Sequence, residues 1–431
     1  MQYRVPKGVF DILPYGEDLS WRHIGHWQYL EAVIREIAKD YCCQEVRTPI
    51  FEQTELFCRG VGATSDIAAK ELYTFLDKGG RSMSLRPEGT ASIMRCFIEK
   101  NLHSDRKTHK FFYIGPMFRY DRPQAGRYRQ HHQFGVEAIG SSAIEQDAEI
   151  IDLLMEFYRR LGIKNALLKL NFLGDSATRT AYKEALEKYL KPHFSSLSPD
   201  SQNRFDKNIL RILDSKAPQD AALLQKAPVI LDFLDENSSA QFKALCRHLD
   251  LLKINYVIDP FLVRGLDYYD KTVFEVVAGK TGAQNSLGGG GRYDSLIKSL
   301  GGPDLPGIGF ATGLERVLQA MLDDGAAIPS LSCPLAFLIP LGAESQNIVF
   351  EIAAKLRHAG ISTDVCYGES KPGTGLKEAS KKEARFAVII GENELPTKMA
   401  VVKDLASREQ QEIAFDLLPD FFQRRKDAFT D

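Results

Sequence analysis

The sequence predicts an α+β chain of more than one domain, and three observations carry that prediction. Lys110 to Gly140, KFFYIGPMFRYDRPQAGRYRQHHQFGVEAIG, reads as an antiparallel hairpin around an arginine-bearing loop. From about Asn171 to Asp259 the texture is helical and charged, broken by Ser-Pro and Ala-Pro steps. Beyond Pro334, short apolar strands alternate with helical stretches, which implies a small parallel or mixed α/β domain. At 431 residues the chain exceeds one ordinary core, so two or three domains are expected.

Bulk composition narrows the class. Hydrophobic residues make up 44% and charged residues 26%, as in globular proteins, and no apolar run is long enough to span a bilayer. The opening MQYRVPKGVFDILP lacks the apolar segment of a secretory signal, so a cytoplasmic protein is expected. Seven cysteines, with no Cys-x-x-Cys and no paired histidine spacing, support neither a zinc site nor a disulfide framework. A net charge of -2 gives no bulk signature of a nucleic-acid binder, so any RNA must be met by a local patch.

Taken in order, Asp18 to Tyr41 places Trp21, Ile24, Trp27, Leu30, Ile34, Ile37 and Ala38 at helical spacing, predicting one long amphipathic helix. Its apolar stripe is core or interface. Pro49 then marks an extended or edge position, or a plain loop. Leu72–Leu76 and Ser82–Leu85 flank the turn signal Asp77-Lys-Gly-Gly80, a second hairpin. In LRPEGTASIMRCFIEK, Thr90 precedes a helix and Glu88 is held in the turn. Two readings stand there: a carboxylate and hydroxyl that hold an α-amino group, or a cap and a helix-dipole partner, the more frequent outcome.

In the central hairpin, Phe134, Val136 and Ala138 face one way and Gln133, Gly135, Glu137 and Ile139 the other. Arg119, Arg122, Arg127 and Arg129 lie between the strands with only Asp121 opposing their charge. Either these arginines are merely solvated, or Arg119 shares a sheet surface with Gln133 and Glu137 and serves a ligand with phosphate and a hydrogen-bonding group.

After the helical stretch the strand pattern returns at Tyr256, and FLVRGLDYYDKTVFEVV leads into an alternating strand at Val273–Val277. Gly288–Gly291 either let backbone approach a ligand or form flexible linker; without Gly-Lys-Ser/Thr they are not a P-loop. GIGFATGLERVLQAML sets Gly307, Gly309 and Gly313 ahead of a helix, but the spacing and the missing βαβ unit argue against dinucleotide binding. That helix makes Arg316 available to a phosphate. Gly325–Pro334 reads as a linker, and Lys371, Lys377, Lys381, Lys382 and Arg385 form a modest patch for RNA phosphates or solvent.

Together these pieces resemble a class II aminoacyl-tRNA synthetase, over nearly the whole chain. The long helix with EVRTPIFE resembles motif 1, with Pro49 at a dimer interface. FRYDRPQAGRYRQHHQFGVEAIG resembles motif 2 and its loop, and GIGFATGLERV resembles motif 3. LVRGLDYY with GGGGRYD, together with LRPEGT, is similar to the signature of the histidyl-tRNA synthetase family. One departure stands out: the family's Phe-Arg-x-Glu has Asp121 in the last place, one methylene shorter.

The resemblance implies an antiparallel-sheet catalytic domain (1–172 and 259–325) split by a helical insertion (173–258), a linker (326–334) and a C-terminal α/β anticodon-binding domain (335–431). It implies attachment of L-histidine to tRNA(His) through a histidyl-adenylate, with ATP as substrate, magnesium carried by ATP, no tightly bound protein metal, a homodimer and no membrane. Arg119 and Arg264 would serve the α-phosphate as catalytic cations, Arg127 and Arg316 the outer phosphates, and Asp121 the adenine. Glu88, Gly89, Thr90 and Gln133 would hold the amino acid's α-amino end. Glu137 and Tyr269 would hold its imidazole, with Tyr268 and Tyr293 lining the same pocket.

The alternative is a histidine-sensing regulatory paralogue of the same core, of the ATP phosphoribosyltransferase regulatory-subunit type. Such paralogues lack the C-terminal domain and parts of the motifs; this chain keeps Arg119, Arg264, Arg316 and a domain after the linker. RGLDYY argues against a class II synthetase for another amino acid.

Overall fold

The computed structural model of the chain describes residues 3–426 apart from 15–19, 63–66, 125, 279–284, 329–332 and 369. It divides into two units, Met1–Ile328 and Pro329–Asp431. The expected linker lies partly outside the described residues.

The first helix is shorter than its apolar pattern suggests. α1 spans Ile24–Asp40, Trp21 sits in a 3-10 turn (Ser20–Arg22), and Asp18 lies outside the described residues. The reason is local: His23 takes extended backbone, and its Nδ1 accepts from the Gly25 N–H at 3.2 Å, which caps the helix there.

Among the described residues of the first unit the strands, in chain order, are β1 (Gln44–Glu45), β2 (Phe51–Gln53), β3 (Thr74–Leu76), β4 (Ser82–Leu85), β5 (His109–Phe118), β6 (Gln130–Ile139), β7 (Ala166–Phe172), β8 (Tyr256–Ile258), β9 (Asp270–Ala278), β10 (Ser286–Arg292) and β11 (Gly307–Gly313). Eight of them form one sheet in the order β1-β5-β6-β11-β10-β9-β7-β8. Its inner pairings are all antiparallel, and only the edge strands β1 and β8 join in parallel. The hairpin β3–β4 forms a separate small sheet with β2.

The helices α2 (Thr54–Val61), α3 (Thr90–Glu99), α4 (Ile144–Arg160), α5 (Ser176–Leu190), α6 (Pro199–Phe205), α7 (Pro218–Leu224), α8 (Glu236–Leu251), α9 (Leu296–Ser299) and α10 (Leu314–Asp323) complete the unit. The two-residue period of β6 sends Phe134, Val136 and Ala138 into one core with α1, α4 and α10. Ile139 falls in the other core, where α3 and the helices between β7 and β8 pack against Tyr268, Tyr269 and Tyr293. One face of the sheet is thus closed by helices, and the other carries a polar patch.

The glycine runs settle into this sheet. Gly288–Gly291 are interior residues of β10 and not linker, and the glycines before α10 belong to β11 and not to a phosphate-binding turn. A buried ion pair closes the far end of β10: the Arg292 guanidinium donates to the Asp147 carboxylate of α4, which also accepts from the Thr272 hydroxyl at 2.6 Å.

The second unit holds β12 (Ala336–Pro340), β13 (Thr363–Val365), β14 (Phe386–Ile390), β15 (Met399–Asp404) and β16 (Gln410–Ala414) in one sheet, ordered β13-β12-β14-β15-β16. β12 pairs in parallel with both neighbours, and the last two pairings are antiparallel, so the sheet is mixed. α11 (Ala343–His358), α12 (Pro372–Lys381), α13 (Glu394–Thr397) and α14 (Leu418–Lys426) accompany it. α11 and α14 share one apolar cluster and α12 joins another. The short α13, β16 and α14 were not expected from the sequence.

Truncating Asp147 should be costly, because buried Arg292 would lose the carboxylate that takes two of its N–H donors and keep Asp294 at 3.1 Å. Asp147→Ala is expected to lose about 3–5 kcal/mol in urea unfolding. A loss below about 1 kcal/mol, the range of an exposed pair, would show that water reaches the site.

Candidate active site

One cleft of about 480 Å³ opens on the polar face of the large sheet. Its floor is Glu137, which is 1% exposed. In the β6–β11 register Glu137 stands opposite Gly309, where an added side chain would overlap the carboxylate. One carboxylate oxygen accepts from the Thr90 hydroxyl at 2.6 Å and the other from the Tyr293 hydroxyl. Burial pushes this carboxyl up to about 8, against the pull of those two donors and with help from nearby Glu88. At neutral pH the floor therefore carries a proton.

Beside it, Glu88 accepts the Thr90 and Ala91 N–H groups at 2.7 and 2.9 Å. It caps α3 and also lines the cleft. Burial raises its pKa, although those two N–H donors and Arg119 oppose the shift. Gly89 is the residue just before α3; it packs on the Tyr113 ring and is not part of the wall. Gln133 is buried on the same strand face as Glu137, and its Oε1 has no hydrogen-bond partner among the described residues. A buried carbonyl left so calls for a donor from a ligand. Tyr268 and Tyr269 stand with ring centroids 4.6 Å apart, and Tyr293 meets Tyr268 edge-on at 5.7 Å. The Tyr293 hydroxyl donates to Glu137, and Tyr269 lines the same cleft.

The other end of the cleft is cationic. The Arg119 Nε donates to the Pro87 carbonyl at 2.8 Å. Arg316 donates to the Gly126 and Ser286 carbonyls at 2.9 and 2.8 Å. Arg264 pairs with Glu275 at 2.6 Å and lies against Gly289, where a side chain would meet its guanidinium at 2.8 Å. Arg127 pairs with Asp121 at 3.3 Å. Asp121 thus braces the loop: its other oxygen accepts the Arg122 N–H at 2.6 Å. Of the four loop arginines, only Arg119 and Arg127 line the cleft. Arg122 is exposed, and Arg129 stacks over Tyr120 at 4.2 Å.

Burial first, then Arg119, His132 and Arg316, holds His131 well below the usual histidine range, so it lines the cleft as a neutral ring. His132, its neighbour, turns to Glu315, which accepts from its backbone N–H at 2.8 Å and lies 3.0 Å from its Nδ1. The residues that sequence reasoning missed are His131, Glu275 as the partner of Arg264, and Arg204, Arg211 and Asp214 from the helical stretch. An arginine at position i of a charged helix carries no local signal that it will reach a site built from other strands. Among the described residues no group of three or more His, Cys, Asp or Glu side chains is gathered as for a metal ion.

Comparisons with known proteins bear on this geometry. A family model described as histidyl-tRNA synthetase matches residues 15–317, and one described as an anticodon binding domain matches residues 336–425. The chain is 54% identical over 418 residues to the histidine–tRNA ligase of Protochlamydia amoebophila, covering 97% of this chain and 99% of that one. It is similar in structure to apo histidyl-tRNA synthetase of S. aureus, with a TM-score of 0.82 and 37% identity over 98% of this chain and all of the other. A Bacillus halodurans structure described as an ATP phosphoribosyltransferase regulatory subunit/histidyl-tRNA synthetase shares the fold, with a TM-score of 0.65 at 20% identity over 91% of this chain and 99% of the other.

The raised carboxyl has a consequence for stability. Glu137 keeps its proton in the folded protein up to about pH 8 but loses it near 4.5 when unfolded. The unfolded state binds fewer protons across that window, so this group's contribution falls as pH rises from about 4.5 to about 8. Glu137→Gln should flatten this part of the stability–pH curve of the ligand-free protein. Equal slopes for wild type and variant would show that Glu137 is ionised in the fold.

Proposed function

The chain belongs to the histidyl-tRNA synthetase family, and from that membership and the two-ended cleft we infer that it is an ATP-dependent ligase joining L-histidine to tRNA(His) through a histidyl-adenylate. The observation that carries this is the cleft itself: a buried carboxyl with hydroxyl partners at one end, and arginines at the other. The amino acid fits the first end and the triphosphate the second.

In this reading the imidazole takes its place between Glu137 and the Tyr269 hydroxyl, with Tyr268 and Tyr293 lining the same pocket. A carboxyl poised near 8 can hold either a neutral ring or, by giving up its proton, an imidazolium. The α-ammonium goes to the unpartnered Gln133 Oε1, with Glu88 and Thr90 beside it. Pairing a polar side chain at both nitrogens rejects analogues that lack them, because the site's buried groups would be left unpaired.

The histidine carboxylate then attacks the α-phosphorus of ATP and pyrophosphate leaves. Negative charge grows on the phosphoryl oxygens, so the requirement is positioned cations more than a protein nucleophile. Arg119 and Arg264 take the α-phosphate, and Arg127 and Arg316 the outer phosphates. Magnesium enters on the ATP. In the second step the 3′-hydroxyl of the tRNA's terminal adenosine attacks the adenylate carbonyl and AMP leaves. The second unit matches an anticodon binding domain, and we assign it the tRNA's distal arm, with the exposed Lys371, Lys377 and Lys381 available to phosphates. Lys382 and Arg385 are engaged by Asp364 and Asp404.

The regulatory-paralogue alternative is not favoured. Sequence identity with a ligase extends over nearly the whole chain, and the second unit is retained. The working species is a homodimer in our reading. Its support is the exposed apolar group Ile50, Phe51, Phe75 and Leu76 on and beside the small sheet, next to Pro49. No helix among the described residues is long and apolar enough to cross a membrane.

ATP–pyrophosphate exchange should respond to histidine alone among the amino acids. Arg264→Ala should lower it on the order of 100- to 1,000-fold, and Glu137→Ala should lose histidine-dependent exchange while ATP still binds. Histidine binding without exchange in the wild type would move the assignment to a regulatory protein. For the dimer, Phe51→Glu with Leu76→Asp should shift the sedimentation coefficient from dimer to monomer; an unshifted dimer would place the interface elsewhere.

A further inference from the structure

The segment between β8 and β9 carries Arg264, Tyr268 and Tyr269, yet beyond the Asp259 N–H, which donates to the Leu170 carbonyl of β7 at 2.9 Å, residues 260–269 join no strand among the described residues. Side chains from elsewhere hold it instead. Asn171 of β7 donates to the Pro260 and Leu262 carbonyls at 3.1 and 3.0 Å. Further along, three contacts reach it from the helical stretch between β7 and β8. The Arg211 guanidinium donates to the Arg264 carbonyl at 3.0 Å, the Asn208 amide to the Asp267 carboxylate at 3.0 Å, and Arg179 to the Tyr269 carbonyl at 2.9 Å. Arg204 in turn donates to the Arg211 carbonyl at 3.2 Å.

We propose that this helical insertion is the positioning device for the adenylating segment, with Arg211 as the positioning residue of Arg264. The proposal rests on the role given to Arg264 above. The physical case is one of leverage. Arg264 is a long side chain whose guanidinium must meet a phosphate within hydrogen-bond tolerance, and its own side-chain contact, Glu275, fixes only the far end. The near end is backbone without a ladder, and a displacement there is carried to the guanidinium. Arg211 closes that freedom from the insertion side, while Asn208 and Arg179 fix the same segment three and five residues on. Asp214 lies close enough to interact with the charge of Arg211, but charge attraction does not explain why the guanidinium meets the Arg264 carbonyl. What it supplies is a donor to a carbonyl.

It follows that the insertion's placement and the chemistry are coupled: whatever shifts residues 204–211 shifts Arg264. The test uses the full chain. Arg211→Met keeps the aliphatic stem and removes the donors. We expect it to lower kcat for ATP–pyrophosphate exchange about 100-fold, the scale of a misplacement near 1 Å, with KM for histidine and the melting temperature little changed. Arg211→Lys, which keeps a donor, should recover part of the loss, and Asn208→Ala should lower kcat in the same direction. In an Arg264→Ala background Arg211→Met should have no further effect. An undiminished kcat, a change confined to KM, or a loss of equal size in both backgrounds overturns the proposal. An active Arg264→Ala enzyme instead removes the role of Arg264 itself, and the positioning argument with it. Should Arg211→Met fail to fold, the Asn208→Ala and Arg211→Lys comparisons decide by the same criteria.

Discussion

A carboxyl group buried in the floor of a β-sheet sets the terms for the rest of the catalytic unit. Ionised, Glu137 would be a charge with no cation in contact, a state that a protein interior strongly disfavours. The sheet accommodates it by three devices. It keeps the group protonated, it opposes it with a glycine so that the side chain can lie flat, and it surrounds it with hydroxyls from α3 and from the turn after β10. Each device comes from a different part of the chain. The order β5-β6-β11-β10-β9 is what brings them together.

The cationic end follows the opposite logic. Four arginines share a small volume, and each is held by a neutral carbonyl or a single carboxylate instead of by a full counter-ion shell. Burial and the neighbouring cations together lower the pKa of Arg316 and keep His131 neutral. Such a site is under electrostatic tension until an anion arrives. Its donors are already oriented, so little reorganisation is left for the reaction itself. Arg264 and Arg127 are the exceptions, because an anion must compete with Glu275 and Asp121 for those guanidinium groups.

The sequence was legible where chemistry follows a short period. The two-residue alternation of β6 placed Gln133 and Glu137 together on one face and Phe134, Val136 and Ala138 on the other, as the two cores confirm. The alternating strands and helices of the second unit were visible for the same reason, up to β15. β16 and α14 escaped because QQEIA and LPDFFQRRK carry no clean period, and their assignment depends on an open sheet edge and a helix-covered face. The start of α1 was misplaced because His23, an uncommon cap, outweighs apolar spacing that continues past it. Pairings were the least legible level. Thr90 and Tyr293 lie 47 and 156 positions from Glu137, and nothing local to either announces the contact.

Asp121 shows what a one-methylene departure can mean. A longer carboxylate at this position could extend beyond its own loop. The shorter one closes on it, accepting from Arg122's backbone and Arg127's guanidinium. Both partners lie on the loop that crosses the cleft, so Asp121 exchanges direct reach for control of Arg127. A phosphate that draws Arg127 inward must first break a pair only 3.3 Å long and partly open to solvent, which is weak enough to yield. Asp121 thus holds the loop through the Arg122 backbone and the Arg127 guanidinium, apart from Arg119, which donates to the Pro87 carbonyl.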